Sequence, residues 1–310
     1  MRLRAVFLVA GPVVALAALG LVVALVVIPS SASWSSPLPV DRTIIDGISC
    51  PSTSFCMAVD DAGDALSFDG SSWSKPVRID GDNNLFDVSC ATTSFCMAVD
   101  VSGDALRFDG RTWARSLLVD DQSMDGISCP TTTFCESGEV SGDDVVRFTG
   151  GTWARPLAVD STSMVVSCAT ASFCVAVDDS GDVLDFSGST WSSPQPIDDA
   201  NGFEDVSCPR TTFCMAVDDA GDALSFDGST WSRPAHIDSS PSLNAISCPS
   251  PSLCMVVDGD GRAVLYSGGK WSKPQPIDTG HVFFDVSCPS ATSCLAVDNR
   301  GRVLTWRAAT

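Results

Sequence analysis

Two cysteines with five residues between them occur seven times along this 310-residue chain, as Cys50/Cys56, Cys90/Cys96, Cys129/Cys135, Cys168/Cys174, Cys208/Cys214, Cys248/Cys254 and Cys288/Cys294. The first cysteine of each pair returns at intervals of 40, 39, 39, 40, 40 and 40 residues. Such a period marks a unit that cannot bury its apolar face alone and stacks against copies of itself. Zinc fits poorly, because zinc sites favour tighter Cys-x-x-Cys spacing and the chain has only two histidines, His236 and His281. A disulfide closing each pair is the better reading. Each bridge would pin one short turn and contribute at most about 2 kcal/mol through loop-closure entropy.

Within a copy, short apolar runs are cut by turn residues, too brief and too rich in valine and glycine for helices. Between Asp46 and Asp80, "GISC", "FCMAVD", "DALSFD" and "SWSKPVRI" read as four strands, joined by "PSTS", "DAG" and "GS". Four antiparallel strands in about 40 residues make one propeller blade. The expected fold class is therefore all-β, a seven-bladed β-propeller preceded by one N-terminal hydrophobic helix. The expected blades run approximately over 43–80, 83–120, 121–160, 161–198, 201–238, 241–278 and 281–306.

Phase separates a closed ring from an open stack. The first repeated element is "WSSPLPVD" at Trp34 to Asp41, which matches the fourth-strand phrase "WSSPQPID" at Trp191 to Asp198. The last copy stops after its third strand, at "GRVLTWRAAT". Residues 34–41 are thus expected to complete the last blade and latch the ring, whereas an open solenoid would need polar caps instead. Proline follows the repeat tryptophan by three positions at Pro37, Pro76, Pro156, Pro194, Pro234 and Pro274, with Ser116 as the exception. Proline cannot donate to a ladder and belongs on an edge strand, here the outer edge of each blade. The neighbouring Lys75, Arg115, Arg155, Arg233 and Lys273 read as edge protection.

The phrase "SCPSTSFCMAVDDAGDALSFDGSSWS" resembles cysteine-containing propeller repeats of exported actinobacterial proteins, and its "SFDGSSW" is similar to a shortened Asp-box of sialidase-type repeats. The resemblance covers Trp34 to Trp306 and implies a propeller. It implies no catalytic residue, since the Asp-box is a turn-forming element. The match is also imperfect, because Asp69 and Gly70 are adjacent where an Asp-box keeps one residue between them.

Residues 1–33 read as a signal anchor or a signal peptide, and 34–310 as the propeller. Arg2 and Arg4 precede an uncharged stretch from Ala5 to Ile28. As a helix those 24 residues would span about 36 Å against roughly 30 Å of hydrocarbon, longer than a signal-peptide core needs. The small residues "SSAS" at Ser30 to Ser33 suit a signal peptidase, so cleavage stays open. Either way the propeller is expected outside the cytoplasm, held at the membrane as a single-pass protein or secreted.

From Trp34 onward 38 acidic residues face 16 basic ones, a field that repels phosphate backbones and excludes nucleic acid as a natural partner. No catalytic residue is expected. The one tyrosine, Tyr266, holds a core position, and no nucleophile elbow accompanies either histidine. Propeller topology collects the second-to-third turns and the crossovers between blades on one face. The candidate binding face comprises Asp60, Asp64, Phe86, Asp100, Asp104, Asp178, Asp182, Phe203, Asp218, Asp222 and Phe284. Its acids read first as turn formers, and its phenylalanines either as plugs under the crossovers or as the lining of a pocket near the central channel. No cofactor is expected; calcium is the ion that oxygen-rich turns of this kind could hold, and which metal, if any, stays open.

The expected role is a non-enzymatic, monomeric scaffold that binds a protein or a cell-envelope polysaccharide through its acidic loop face. A lectin-like propeller is the alternative, and a glycoside hydrolase ranks below both.

Overall fold

The computed structural model describes residues 32–309 except 82, 141–143, 199–200 and 240–241. The N-terminal hydrophobic segment lies outside the described residues. Among those described, no helix is long and apolar enough to cross a membrane.

The described residues form seven antiparallel sheets, and the chain is an all-β, seven-bladed propeller. The first blade shows the plan: Ile45–Ser52 is innermost, followed outward by Phe55–Asp60, Asp64–Phe68 and Val77–Arg78. The outer strand is not continuous. It touches the third strand at Phe68 opposite Trp73, leaves it, and rejoins at Val77–Arg78. Pro76 stands in the gap, where the ladder has no use for a missing N–H.

Each cysteine pair is a disulfide that ties the inner strand of a blade to its second strand. The bridges are Cys50 to Cys56, Cys90 to Cys96, Cys129 to Cys135, Cys168 to Cys174, Cys208 to Cys214, Cys248 to Cys254 and Cys288 to Cys294. Each clasps the short turn it closes, as expected, and its setting adds a second role. The second cysteine of every pair is fully buried: Cys56, Cys96, Cys135, Cys174, Cys214, Cys254 and Cys294 each have 0% exposure. The physical reason is strand alternation, which turns the second-strand cysteine to the same apolar face as its neighbours two residues on. Cys56, for example, belongs to a cluster with Ile48, Ala58, Leu66 and Leu295. The bridges therefore act as core residues as well as clasps, and none of these sulfurs offers a surface for binding.

The Asp–Gly turn of the first blade is built by its own aspartate. Asp69 Oδ1 accepts the N–H groups of Ser71 and Ser72 at 2.9 and 2.8 Å.

The ring closes through its ends. Ser33–Trp34 and Leu38–Pro39 pair with Arg302–Arg307, setting Trp34 opposite Trp306 and Leu38 opposite Val303. Apolar clusters lie between blades. Met57, Val59 and Ala65 of the first blade pack with Leu85, Val88, Leu106 and Phe108 of the second. Burying a face on each neighbour in turn is what makes a closed ring the stable arrangement.

A second closure runs around the channel. The inner strand is a sheet edge, so alternate N–H groups find no ladder partner and need another acceptor. The serine before each first cysteine supplies one. Cys90 N–H donates to Ser49 Oγ, Cys129 to Ser89 and Cys168 to Ser128, each at 2.9 Å. Cys208 donates to Ser167, Cys248 to Ser207, Cys288 to Ser247 and Cys50 to Ser287, each at 3.0 Å. The seven bonds form an unbroken circle from blade to blade.

Candidate functional site

The inner strands begin at the face that carries the blade crossovers, and most begin with a bulge. In the second blade Leu85 stands opposite Asp100 and Asp87 opposite Val99, which leaves Phe86 as the extra residue. A bulge sets two residues against one. It brings Phe86 and Asp87 to the channel together instead of on opposite faces. The same irregularity precedes Asp205 and Asp285, and the residues it adds are Glu204 and Phe284. The fourth blade has no such bulge: Met164, Val165 and Val166 pair in unbroken register, so Val165 stands there in place of an acid.

These strand ends surround a cavity of about 410 Å³ at the channel mouth, to which Asp46, Asp87, Asp125, Glu204, Asp205 and Asp285 all contribute. Asp179 reaches it from a turn of the fourth blade, and Phe86, Asn244 and Phe284 add two aromatic rings and a carboxamide. Three of the aspartates also hold the ring together. Asp87, Asp205 and Asp285 accept the N–H groups of Ile127, Ile246 and Ile48 in the following blade, at 2.8, 2.7 and 2.7 Å. Each receiving strand carries a small residue at the corresponding position, Gly126, Ala245 or Gly47.

Crowded acids under partial burial hold protons strongly. Burial, reinforced by the charges of Asp61 and Asp60, raises Asp46 to about 8. Burial raises Asp87 and Asp205 to about 7, although backbone N–H donors oppose the shift at both. Asp125 rises to about 6 from the same cause. Asp285 lies well above the ordinary carboxylate range through burial and the nearby charge of Asp87. A cationic group entering this mouth would replace protons with a better counter-charge.

The structure separates the residues of the expected binding face. Asp60, Asp100, Asp178 and Asp218 are buried, and the Oδ1 of each accepts two N–H groups of its own turn. For Asp100 these come from Ser102 and Asp104, at 2.9 and 2.7 Å. Asp64 and Asp222 are engaged by Arg78 and His236. Asp104 and Asp182 begin third strands and are half-buried. Phe86 and Phe284 reach the mouth, Phe284 being 37% exposed. Phe203 touches the rim but is only 3% exposed and packs with Val206 and Leu224. It occupies the position of Leu85 and Phe283, and Glu204 takes the channel position beside it. Sequence reasoning misses the acids of the inner strands. The signal for them is an acid one or two residues before the Val/Ile-Ser-Cys phrase.

Two other departures from the repeat, Glu136 and Tyr266, are satisfied internally. Glu136, in place of the usual methionine, is fully buried and paired with Arg147 at 2.7 Å, and it accepts the Trp191 indole N–H at 3.1 Å. Tyr266 packs at 5.0 Å against Trp271. The outer tryptophans are likewise engaged, Trp113 lying 5.5 Å from the Phe108 ring.

No family model and no curated protein matches the sequence. Among solved structures, the chain is similar to YCF48 bound to D1 peptide, with a TM-score of 0.70 at 15% identity over 89% of this chain and 97% of that one. It is similar to YCF48 from Cyanidioschyzon merolae, at 0.66 and 14% over 89% and 99%. It is also similar to the WD40 β-propeller domain of Doa1, at 0.76 and 10% over 89% and 97%. At these identities the likeness is one of fold. These structural neighbours are Ycf48 and WD40 propellers, not sialidases.

Proposed function

We propose that the chain is a non-enzymatic, extracytoplasmic interaction propeller that binds a cationic segment of a partner protein at its channel mouth. The observation that carries this reading is the convergence of seven acids and two accessible phenylalanine rings on one cavity of about 410 Å³. Such a site favours lysine or arginine beside an apolar side chain, because acids supply charge and the rings supply desolvated contact area. The Ycf48 structure with a bound peptide supports a protein partner in general terms. The tryptophans, turned toward phenylalanine neighbours, leave less support for sugar stacking at the blade rims.

Seven disulfides suggest an oxidising environment outside the cytoplasm. The reading extends to an N-terminal segment that delivers the propeller across the membrane, either retained as an anchor or cleaved near Ser33. The mass of the mature N-terminus decides between these two.

The binding test is selection of a random 12-residue peptide library on the full chain. The expected result is enrichment of Lys/Arg beside apolar residues, with binding weakened at least tenfold by Asp46→Asn combined with Phe284→Ala. Enrichment of acidic peptides, or equal binding to the double variant, would overturn the proposal.

A further inference from the structure

At each junction between blades, the carboxylate that ends a second strand meets the carboxylate that closes the preceding blade. Two like charges in a half-buried place require a counter-charge or a donor, and most junctions contain one. Arg302 Nη2 reaches Asp278 at 2.7 Å and Asp298 at 2.5 Å. Arg262 similarly joins Asp238 and Asp258, at 3.2 and 2.8 Å. Asn83 donates to Asp100 at 3.0 Å and Asp80 at 3.5 Å, Asn201 to Asp198 and Asp218 at 3.5 Å, and Thr43 to Asp60 at 2.9 Å.

Among the described residues two junctions lack such a group. One is that of Asp160 with Asp178, whose Oδ2 atoms are buried and unpartnered. The other, between the second and third blades, alone of the two also brings a third carboxylate into the cluster. Asp120, Glu139 and Asp144 place carboxylate oxygens within 4.8 Å of one another. Asp120 is 7% exposed and Glu139 1%, and Asp120 Oδ2 and Glu139 Oε1 are buried without a hydrogen-bond partner. Asp144 stands opposite Ala158 in its ladder, the register that Arg302 holds opposite Pro39 and Arg262 opposite Pro276. Where two junctions have a guanidinium group, this one has a third carboxylate aimed at the same place.

We propose that Asp120, Glu139 and Asp144 bind a calcium ion that bridges the second and third blades, in the place an arginine fills at the last two junctions. Three clustered carboxylates suit a hard divalent cation, and calcium tolerates the irregular oxygen geometry of a blade junction better than magnesium, which demands a near-octahedral shell. Two blades joined by one ion gain stability only while calcium is present.

The test is calorimetric titration of the chelator-treated full chain with calcium chloride, paired with thermal melts, and magnesium chloride as comparator. One calcium per chain is expected from this site, together with a raised melting temperature and weaker binding of magnesium. Asp120→Asn and Glu139→Gln should each weaken binding at least tenfold, while exposed Asp69→Asn leaves it intact. Without calcium the two site variants should melt no lower than the wild-type chain, because they remove repulsion. Asp144→Arg should fold, melt high without calcium and ignore added calcium, in imitation of Arg302. A pair that instead shares a proton gives no heat and no shift in melting at millimolar calcium, and that result overturns the site. So does binding that survives in both Asp120→Asn and Glu139→Gln.

Discussion

Trp34 lies directly opposite Trp306, so the first described strand of the chain completes the sheet that its last strand leaves unfinished. Ser35 N–H to Thr305 O at 2.8 Å, and Val40 and Asp41 N–H to Gly301 O at 2.9 Å, extend this closure along the strand. Replacing Trp34 with alanine should cost about 2 to 3 kcal/mol, less than full burial would imply because the ring is only half-buried. The loss should fall on the unfolding rate, since opening the latch exposes both terminal blades. Trp113→Ala, in a blade that closes nothing, is the control. Equal acceleration of unfolding in both variants, measured by denaturant jumps, would remove the latch from the account.

The serine circle predicts a uniform penalty around the channel. Ser89→Ala leaves Cys129 N–H, which donates to Ser89 at 2.9 Å, without its acceptor. The expected cost is about 1 to 3 kcal/mol. Ser71→Ala, on an exposed turn where Ser71 bonds only its neighbour Asp69, should stay within about 0.5 kcal/mol. Urea unfolding of both variants checks the difference. The circle itself is carried by a serine in all seven copies, yet its purpose is invisible without the neighbouring blade.

That contrast describes what the sequence makes legible here. Blade number, strand order and closure can be read because they depend on local signals: the cysteine pairs, prolines that only an edge tolerates, and an orphan fourth strand before Asp41. The channel mouth resists such reading. Alternation assigns successive strand residues to opposite faces, whereas the bulge turns Phe86 and Asp87 the same way. The second-strand acids mislead in the other direction. Asp60 and Asp100 read as surface turn residues but are fully buried, spent on the N–H groups of their own turns.

Gly138, in the second strand of the third blade, faces the backbone of the fourth blade's inner strand. Second strands elsewhere carry valine at its position, such as Val59 and Val99, but a Cβ on Gly138 would lie 2.2 Å from the Met164 carbonyl oxygen. Backbone cannot retreat as a flexible side chain can. Gly138→Ala should therefore destabilise the protein by about 3 kcal/mol or more, whereas Gly126→Ala, whose new Cβ would meet nothing closer than 3.6 Å, should be mild. Thermal melts of the two variants compare them directly.

The acids of the channel mouth predict how stability follows pH. Asp46 titrates at about 8 in the folded chain, Asp87 and Asp205 at about 7 and Asp125 at about 6, each raised by burial. Unfolded aspartates titrate near about 3.9, so between these values the folded state holds more protons and stability falls as pH rises. The contribution of these groups is fully present below about 4, is lost progressively as pH rises from there through the folded values of about 6 to 8, and changes little above them. Exposed Asp69, pulled down to about 2 by the Ser71 hydroxyl and the N–H groups of Ser72 and Ser71, acts in the opposite sense and weakens the fold only in stronger acid. The melting temperature should therefore peak in mild acid and drop by several degrees toward pH 8.5, with Asp46→Asn flattening the upper limb. A cationic peptide that displaces those protons must bind more tightly as pH rises through the same window. Affinities measured at pH 5.5 and 8 should thus move opposite to stability; parallel movement would mean that the peptide does not contact these carboxylates.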